Sequence, residues 1–237
     1  MSEETTIQVN FGRPMPIFPL NTVALLPHGL MPLHIFEERY RRMVSDALDG
    51  SGQIAMAVFE GDRWLKEYHG RPPVKPAVCI GQIIQHRKLP DGRYDILLQG
   101  ICRARIIEEL PADGERLYRR AMLEPVGLPV GSDDETELEP YRERLVSLLS
   151  TPPLTDLREG PKVVDYLSDE RVPTNAVLEL IALSFLSDPE FRYRMLEEGE
   201  AVRRADLVEH ELKTLGHLLE AAAPQRLVEW PKGVSWN

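Results

Sequence analysis

Histidine and cysteine side chains are the groups of this sequence that could do chemistry. His210-Glu211 resembles the start of an H-E-x-x-H zinc motif, but Thr214 occupies the position of the second ligand. His217 follows His210 by two helical turns, about 10 Å along a helix axis, and two ligands that far apart cannot share one metal ion. The sequence therefore predicts no metal site in this segment.

Two other pairs of such side chains have structural interpretations. His28 and His34 flank a proline and could act as a base or as ligands, but a lone histidine beside an apolar strand is more often a hydrogen-bonded structural residue. Cys79 and Cys102 are almost equally far from a predicted hairpin turn, so we expect them to be near-opposite, with core packing favoured over a redox role. The sequence has no P-loop, G-x-G-x-x-G or G-x-S-x-G motif, and no catalytic residue or cofactor is predicted.

Arginines form the one cationic cluster that the sequence offers as a functional patch. Its members are Arg103, Arg105, Arg116, Arg119 and Arg120. Such a patch would bind an acidic peptide or RNA. Cross-strand pairing with nearby carboxylates is the alternative that we favour, and the available partners are Glu108, Glu109 and Glu115.

Strands in the first half of the chain must position these residues. The patterns predict short extended pieces at Ile17–Leu20 and Val23–Leu26, a helix at Glu37–Leu48 and a buried strand at Gln53–Phe59. Two hairpin arms, Val78–Leu89 and Arg93–Leu110, flank Pro90-Asp91-Gly92, and a last strand follows at Leu117–Val126. In the second arm an apolar face alternates with a face that carries Arg103 and Arg105. A small antiparallel barrel or sandwich would close such a set of strands.

The second half of the chain has helical periodicity. Residues 131–139 are acidic and rich in turn formers, so we place the domain boundary there. Helices are predicted over residues 139–149, 174–186, 190–197 and 200–222. The last helix carries a heptad seam formed by Ala201, Ala205, Val208, Leu212, Leu215, Leu219 and Ala222. We expect this seam to pack within the chain's own bundle, and a homodimer through residues 200–222 is the alternative.

Charge and composition restrict the class of protein further. Residues 1–125 carry 16 Lys+Arg and 16 Asp+Glu, so the whole net charge of −10 lies in the second half. With a sequence pI of about 5.2, the chain lacks the basic balance of a protein that binds nucleic acid by phosphate neutralisation. No apolar stretch is long enough to span a bilayer and no signal peptide opens the sequence, so we expect a cytoplasmic protein without membrane association.

Several motifs of the first half resemble one known family. The opening segment resembles the N-terminal, substrate-binding domain of the Lon protease family at Ile17–Val23, Leu26–Pro27, Met31–Glu37 and Arg39–Tyr40. The predicted hairpin resembles the central hairpin of that domain at Gly81–Ile83, Leu89–Arg93, Leu98–Gly100 and Arg103–Ile106. The resemblance implies an α+β fold, with a PUA-like antiparallel β-barrel over residues 14–126, a helical bundle over 137–223 and a tail over 224–237. Phe18, Phe36 and Tyr40 would fill the barrel, while Gly81, Gly92 and Gly100 would permit turns, bulges or close backbone approach.

The resemblance also implies a function. In the Lon family this domain precedes an ATPase module and a Ser-Lys peptidase, whereas this chain has no Walker A motif and is similar to a stand-alone form. We therefore expect a non-catalytic module, one that binds unfolded or flexible polypeptide or a specific protein partner. RNA binding, known for PUA-like barrels of other families, is the alternative. Candidate polypeptide-binding residues are Arg41 and Arg42 of the first helix, Trp64 of the 61–69 loop, and Leu89, Pro90 and Tyr94 at the hairpin tip.

Overall fold

A computed structural model describes residues 7–68, 70–112, 114, 116–127 and 133–222. The strands are β1 (Met15–Leu20), β2 (Leu30–Ile35), β3 (Gln53–Val58), β4 (Ala77–Lys88), β5 (Tyr94–Glu109) and β6 (Arg119–Val126). The helices are α1 (Glu38–Leu48), α2 (Trp64–Glu67), α3 (Asp133–Leu149), α4 (Gly160–Ser168), α5 (Thr174–Ser184), α6 (Pro189–Glu197) and α7 (Ala201–Ala222), with a 3-10 turn at Leu154–Asp156. This order confirms the predicted α+β class. The predicted tail, residues 224–237, lies outside the described residues.

The six strands form one mixed sheet in the order β2-β5-β4-β3-β1-β6. β6 also pairs with β5, so the pairings close a ring of five strands and leave β2 as the edge strand among those described. The prediction of a purely antiparallel sheet is wrong at one place, because β1 and β3 are parallel, with Ile17 opposite Ala55. Parallel neighbours need a crossover connection, which β2 and α1 provide. Pro32 lies within β2, where proline is tolerated because an edge strand can lose a backbone donor.

The hairpin of β4 and β5 confirms the clearest local prediction. Gly92 adopts φ +82° in the turn, which a glycine permits without strain. Cys79 lies opposite Arg103, whereas Cys102 lies opposite the neighbouring residue of β4. An offset of one residue places the two thiols on opposite faces of the sheet. The expectation of near-opposite cysteines is therefore corrected, since the two sulfur atoms cannot meet across the ladder.

The sheet has an apolar core on each of its two sides. Small and branched side chains fill the inside of the ring, among them Ile17, Ala55, Val78, Ala104 and Leu123. The other core joins α1, the outer side of the sheet and the helices.

Three predictions about the opening segment have mixed outcomes. Phe18 and Tyr40 are buried with ring centroids 4.4 Å apart, but in the core outside the ring, and Phe36 is 62% exposed, so the prediction that these three residues fill the barrel is wrong. The segment 23–26 is not part of a strand, and the carbonyl of Leu26 lies against β5. There a Cβ on Gly100 would overlap the carbonyl of Leu26, so this glycine permits a close backbone approach, as predicted.

The helical half begins earlier than the predicted linker allowed. α3 is already helical from Asp133, so most of the segment 131–139 is part of that helix. α5 lies centrally, and the Glu135 carboxylate accepts a hydrogen bond from the Thr174 backbone at its N-terminus (3.0 Å). Arg142 of α3 is buried and donates to the carbonyls of Tyr166, Leu167, Asp169 and Val172 and to the hydroxyl of Thr174. These hydrogen bonds connect α3 to the end of α4 and the start of α5.

The heptad seam of α7 packs inside the chain. Its central residues Ala205, Val208 and Leu212 are buried in the core shared with α3 and α5. Intramolecular packing of the seam, the favoured prediction, is thus observed. Self-association through residues 200–222 stays a prediction.

Candidate functional site

The fold separates the predicted arginine cluster into structural ties and surface cations. Arg103 is only 4% exposed, and its guanidinium donates to Glu179 Oε1 (2.6 Å) and to the Met195 carbonyl. Arg105 points to the same side of β5 but lies in solvent, 3.9 Å from Glu124. Arg103 therefore belongs to the contact between sheet and helices and not to a binding surface.

Glu179 is shared by two buried guanidiniums. Its side chain is 1% exposed, and the Nε atom of Arg204 lies 3.5 Å from the same Oε1 atom that Arg103 contacts. Arg204 also donates to Asn175 Oδ1 (2.6 Å) and to the carbonyls of Glu198 and Gly199. This cluster joins β5, α5 and α7, so its role is to hold the two halves of the chain together.

Arg119 pairs with Glu109, as the cross-strand alternative predicts. Arg119 Nε donates to Glu109 Oε1 (2.8 Å), and Arg71 binds the same carboxylate. Burial raises the pKa of Glu109, but the hydrogen bonds from Arg119 and Arg71 outweigh it and hold the pKa below its ordinary value. The cleft of about 230 Å³ beside them is thus lined partly by arginines that already have a carboxylate partner. The predicted partner Glu115 lies outside the described residues.

Two open grooves of the sheet half adjoin α1. A groove of about 580 Å³, here named the tip groove, runs between α1 and the hairpin tip and is lined by Glu38, Arg41, Arg42, Ser45, Lys88, Gly92, Tyr94 and Leu117. A second groove of about 560 Å³, named the flank groove, shares Arg42 with it and is lined further by Arg13, Pro14, Pro16, Asp46, Ala47, Gly50, Ser51, Gln53, Arg116, Tyr118 and Arg120. The two form one surface around the exposed side of α1.

Amphipathic packing of α1 positions its groove residues. Tyr40, Met43 and Val44 are buried on one side of this helix, so Arg41 and Arg42 fall on the side that faces the grooves. Arg41 Nη1 donates to the Asp91 carbonyl in the hairpin turn (3.2 Å), which fixes the helix against the tip.

A hydrogen bond from Tyr118, the residue before β6, holds the other side of α1. The Tyr118 hydroxyl donates to Asp46 (2.9 Å), and Asp46 also pairs with Arg42 (2.9 Å). Burial and the bond to this carboxylate raise the pKa of Tyr118. Asp46 is therefore engaged from both sides, and Arg42 is the one groove arginine whose carboxylate partner lies on the same helix.

The structure brings together part of the predicted polypeptide-binding set. Arg41, Arg42 and Tyr94 line the tip groove. Leu89 and Pro90 lie in the adjoining turn, where the Gly92 backbone donates to the Leu89 carbonyl (2.9 Å), but they do not line the groove. Trp64 begins α2 instead of a loop and stacks on Phe59 with ring centroids 5.9 Å apart, away from both grooves.

Cations outnumber carboxylates along the two grooves. The described lining includes six cations, Arg13, Arg41, Arg42, Lys88, Arg116 and Arg120, and two carboxylates, Glu38 and Asp46. Arg13, Arg41 and Lys88 make no ion pair with any carboxylate in the described part of the chain. The Nε atom of Arg41 is a buried donor without an acceptor there. Three cations of the surface around α1 therefore have no carboxylate partner among the described residues.

Sequence reasoning missed the exposed apolar side chains. Leu117, 57% exposed, lies on the tip groove, and Leu30 and Phe36 are exposed on the outer side of β2. Core and surface leucines look alike in a sequence, so Leu117 had no signal. The alternation of Leu30, Pro32, His34 and Phe36, two of them not typical core residues, could have marked this side of β2 as outward-facing.

The residues considered for chemistry do not meet. His34 Nδ1 lies 2.7 Å from Asp95 on the surface, while His28, His210 and His217 are exposed elsewhere. No group of three His, Cys, Asp or Glu side chains that could hold a metal ion occurs within the described ranges. Burial raises the pKa of Cys79, and it raises that of Cys102 to about 11. No helix among the residues described is both long and apolar enough to cross a membrane.

A ring of strands that carries open grooves lined by cations and continues into a helical bundle defines an α+β domain. Residues 14–214 match the family model described as the ATP-dependent protease La (LON) substrate-binding domain. The chain belongs to this family.

Curated relatives agree with the family. The chain is 26% identical over 224 residues to a Lon protease of Trichlorobacter lovleyi. The aligned region covers 90% of this chain and 26% of that protein. It is 33% identical over 110 residues to the Lon protease of Escherichia coli K12, covering 45% of this chain and 13% of the relative. The chain thus spans about a quarter, or less, of the length of these relatives.

Solved structures agree with the fold. The N-terminal domain of a Mycobacterium avium complex Lon protease superposes with a TM-score of 0.62 at 17% identity, over 85% of this chain and 98% of that one. A Lon N-terminal domain protein from Xanthomonas campestris gives 0.59 at 20% identity, over 82% and 95%. At these identities the likeness concerns the fold alone.

Proposed function

We propose that this chain is a non-catalytic module that binds unfolded or flexible polypeptide or a protein partner, and that the surface around α1 is where it binds. The observation that carries the proposal is the open tip groove, in which exposed Leu117 lies among cationic side chains, on a member of a substrate-binding family. A cytoplasmic location and a role in protein quality control are parts of the same proposal.

The dimensions of the grooves suit an extended chain. Sites for ligands commonly measure roughly 300–1,000 Å³, and each of the two grooves falls in that range. They meet at Arg42, so a segment could run from the hairpin tip along α1 and into the flank groove. Leu117 offers apolar contact, and the guanidinium groups can donate to backbone carbonyls or to carboxylates.

Fluorescence anisotropy of a labelled, permanently unfolded polypeptide tests the proposal. We expect saturable binding to the unmodified protein, and a loss of affinity of about tenfold or more in the double variant Arg42→Ala/Leu117→Ser. Both side chains are exposed, so the variant should fold. Absence of saturable binding would overturn the proposed function, and unchanged affinity of the double variant would remove the groove as its site.

Arg63 supplies a matched control. Arg42 and Arg63 are 65% and 66% exposed, and each pairs with a carboxylate four residues later in the chain. Arg42 lines both grooves, whereas Arg63, just before α2, lines neither. Arg63→Ala should therefore leave binding unchanged. ATP turnover or peptide cleavage by the pure protein would contradict the non-catalytic part of the proposal.

RNA is the second candidate ligand, and the excess of cations along the grooves is the observation that favours it. The sheet half as a whole is neutral, which weighs against it. RNA binding through phosphates would weaken steeply as salt rises. A labelled RNA that shows no salt-sensitive binding would eliminate this candidate.

A further inference from the structure

We propose that the surface around α1 selects polypeptide segments in which Asp or Glu side chains flank a large apolar residue. This inference rests on the proposed function and adds the class of segment that the grooves accept. It follows from where the unpaired cations, the exposed apolar surface and an unused donor lie relative to one another.

Unpaired cations concentrate at these grooves. Arg13 lines the flank groove, Arg41 and Lys88 line the tip groove, and none of the three forms an ion pair within the described part of the chain. Most other surface arginines have a carboxylate neighbour, as Arg71 and Arg87 do. A ligand carboxylate would therefore find unpaired cations at these grooves. On neighbouring surfaces most cations are already paired with a carboxylate of the chain.

Arg41 has an unused donor. Its Nη1 atom binds the turn carbonyl of Asp91, while its Nε atom is buried and has no acceptor among the residues described. A buried donor without an acceptor is unfavourable, and a charged oxygen acceptor gives the strongest hydrogen bond to a guanidinium. The Nε atom is covered in this conformation, so a ligand carboxylate at the tip groove would supply that acceptor once the guanidinium turns toward the groove.

The apolar part of the recognition is Leu117. This side chain is exposed on the tip groove, and Lys88 Nζ lies 5.6 Å from the centre of the Tyr94 ring in the same groove. A large apolar ligand side chain would cover Leu117, and the ligand's carboxylates on either side would reach Arg41 and Lys88. Neither a purely acidic nor a purely apolar segment would use both features.

Three labelled peptides of equal length test this preference. The first carries Asp and Glu around a central Leu-Phe pair, the second replaces each acid by its amide, and the third keeps the acids but replaces Leu-Phe by Ser-Ser. We expect the first peptide to bind at least about tenfold more tightly than either other, and its advantage over the amide peptide to shrink when salt rises from about 50 to 200 mM.

Charge-reversal variants assign the preference to the grooves. Arg41→Glu and Arg13→Glu should each abolish most of the advantage of the acidic peptide, and Arg63→Glu should preserve it. Because Arg13 is exposed and makes no described contact, its variant stays informative if the Arg41 variant, checked by thermal melting, fails to fold.

The possible outcomes are distinguishable. Equal binding of the acidic and amide peptides overturns the inference and leaves the proposed function standing. Failure of all peptides and of unfolded polypeptide to bind overturns both. Displacement of the acidic peptide by RNA at lower concentration than by unlabelled peptide overturns the inference in favour of nucleic acid.

Discussion

Replacing Glu179 by glutamine removes the one carboxylate that lies between two buried guanidiniums. In the native chain its Oε1 atom accepts from Arg103 at 2.6 Å and lies 3.5 Å from Arg204 Nε. Glu179→Gln keeps the size of the side chain but removes the negative charge that both guanidiniums contact. Arg103→Met, in contrast, removes one cation and leaves Glu179 paired with Arg204.

The burial of these groups sets the size of the effect. All three side chains are at most 4% exposed, so solvent cannot replace the lost partner. Breaking a buried ion pair on one side costs about 3–5 kcal/mol, and we expect Glu179→Gln to lie in that range. Arg103→Met should cost less, about 1.5–3 kcal/mol, because what it loses are hydrogen bonds of a charged donor. Added to Glu179→Gln, Arg103→Met should cost little, since the carboxylate that Arg103 pairs with is already gone.

Thermal and denaturant unfolding of the two single variants and the double variant measure this cycle. For a chain of this length, Glu179→Gln should lower the Tm by roughly 6–20 °C. Arg105→Met is the matched control from the same strand, and its exposed ion pair should contribute less than about 1 kcal/mol. If Glu179→Gln cost less than Arg103→Met, or if the two effects were additive, the shared-carboxylate argument would be refuted.

Three further predictions concern the interior. Burial lowers the thiolate population of Cys102 at pH 8 by about a hundredfold relative to a free thiol, and that of Cys79 further, so thiol reagents should modify neither quickly until the protein is denatured; fast reaction of the native protein would contradict this. Gly100→Ala should cost about 1–3 kcal/mol in chemical unfolding because its Cβ meets a backbone carbonyl, whereas Gly50→Ala, with ordinary contacts only, should cost less than 1 kcal/mol. Arg142→Lys should cost about 2–4 kcal/mol by the same measurement, since an ammonium cannot reach all the acceptors of the guanidinium; full stability of this variant would show that those bonds matter little.

Local patterns predicted most of the elements. The helix after β2, the β4–β5 hairpin and α6, which begins where Asp188 accepts from the Phe191 backbone (2.7 Å), depend on residues close in sequence, and these three elements were predicted. The parallel pairing of β1 with β3 could not be predicted in this way. It depends on a crossover through β2 and α1 that leaves no local trace in either strand.

The candidate site was predictable only in part. Arg41 and Arg42 were found because a helical period separates the exposed side of α1 from its buried side. Arg103 was misplaced because its strand alternates in the same way whether helices cover that face or solvent does. Which cations lack partners is a property of three-dimensional neighbours, so the special position of Arg13 and Lys88 had no signal in the sequence.

The free edge of the sheet is formed by β2, the edge strand among those described. It bears on what an unfolded chain bound to this domain could do. An unpaired strand offers a row of backbone donors and acceptors that can template β-structure in any extended chain that touches it. Here five strands close upon themselves, and the row along β2 is interrupted at Pro32, which has no N–H. A segment bound around α1, as we propose, would be held by side chains of the domain and not paired as a strand. Binding there would therefore not align the segment for β-sheet aggregation.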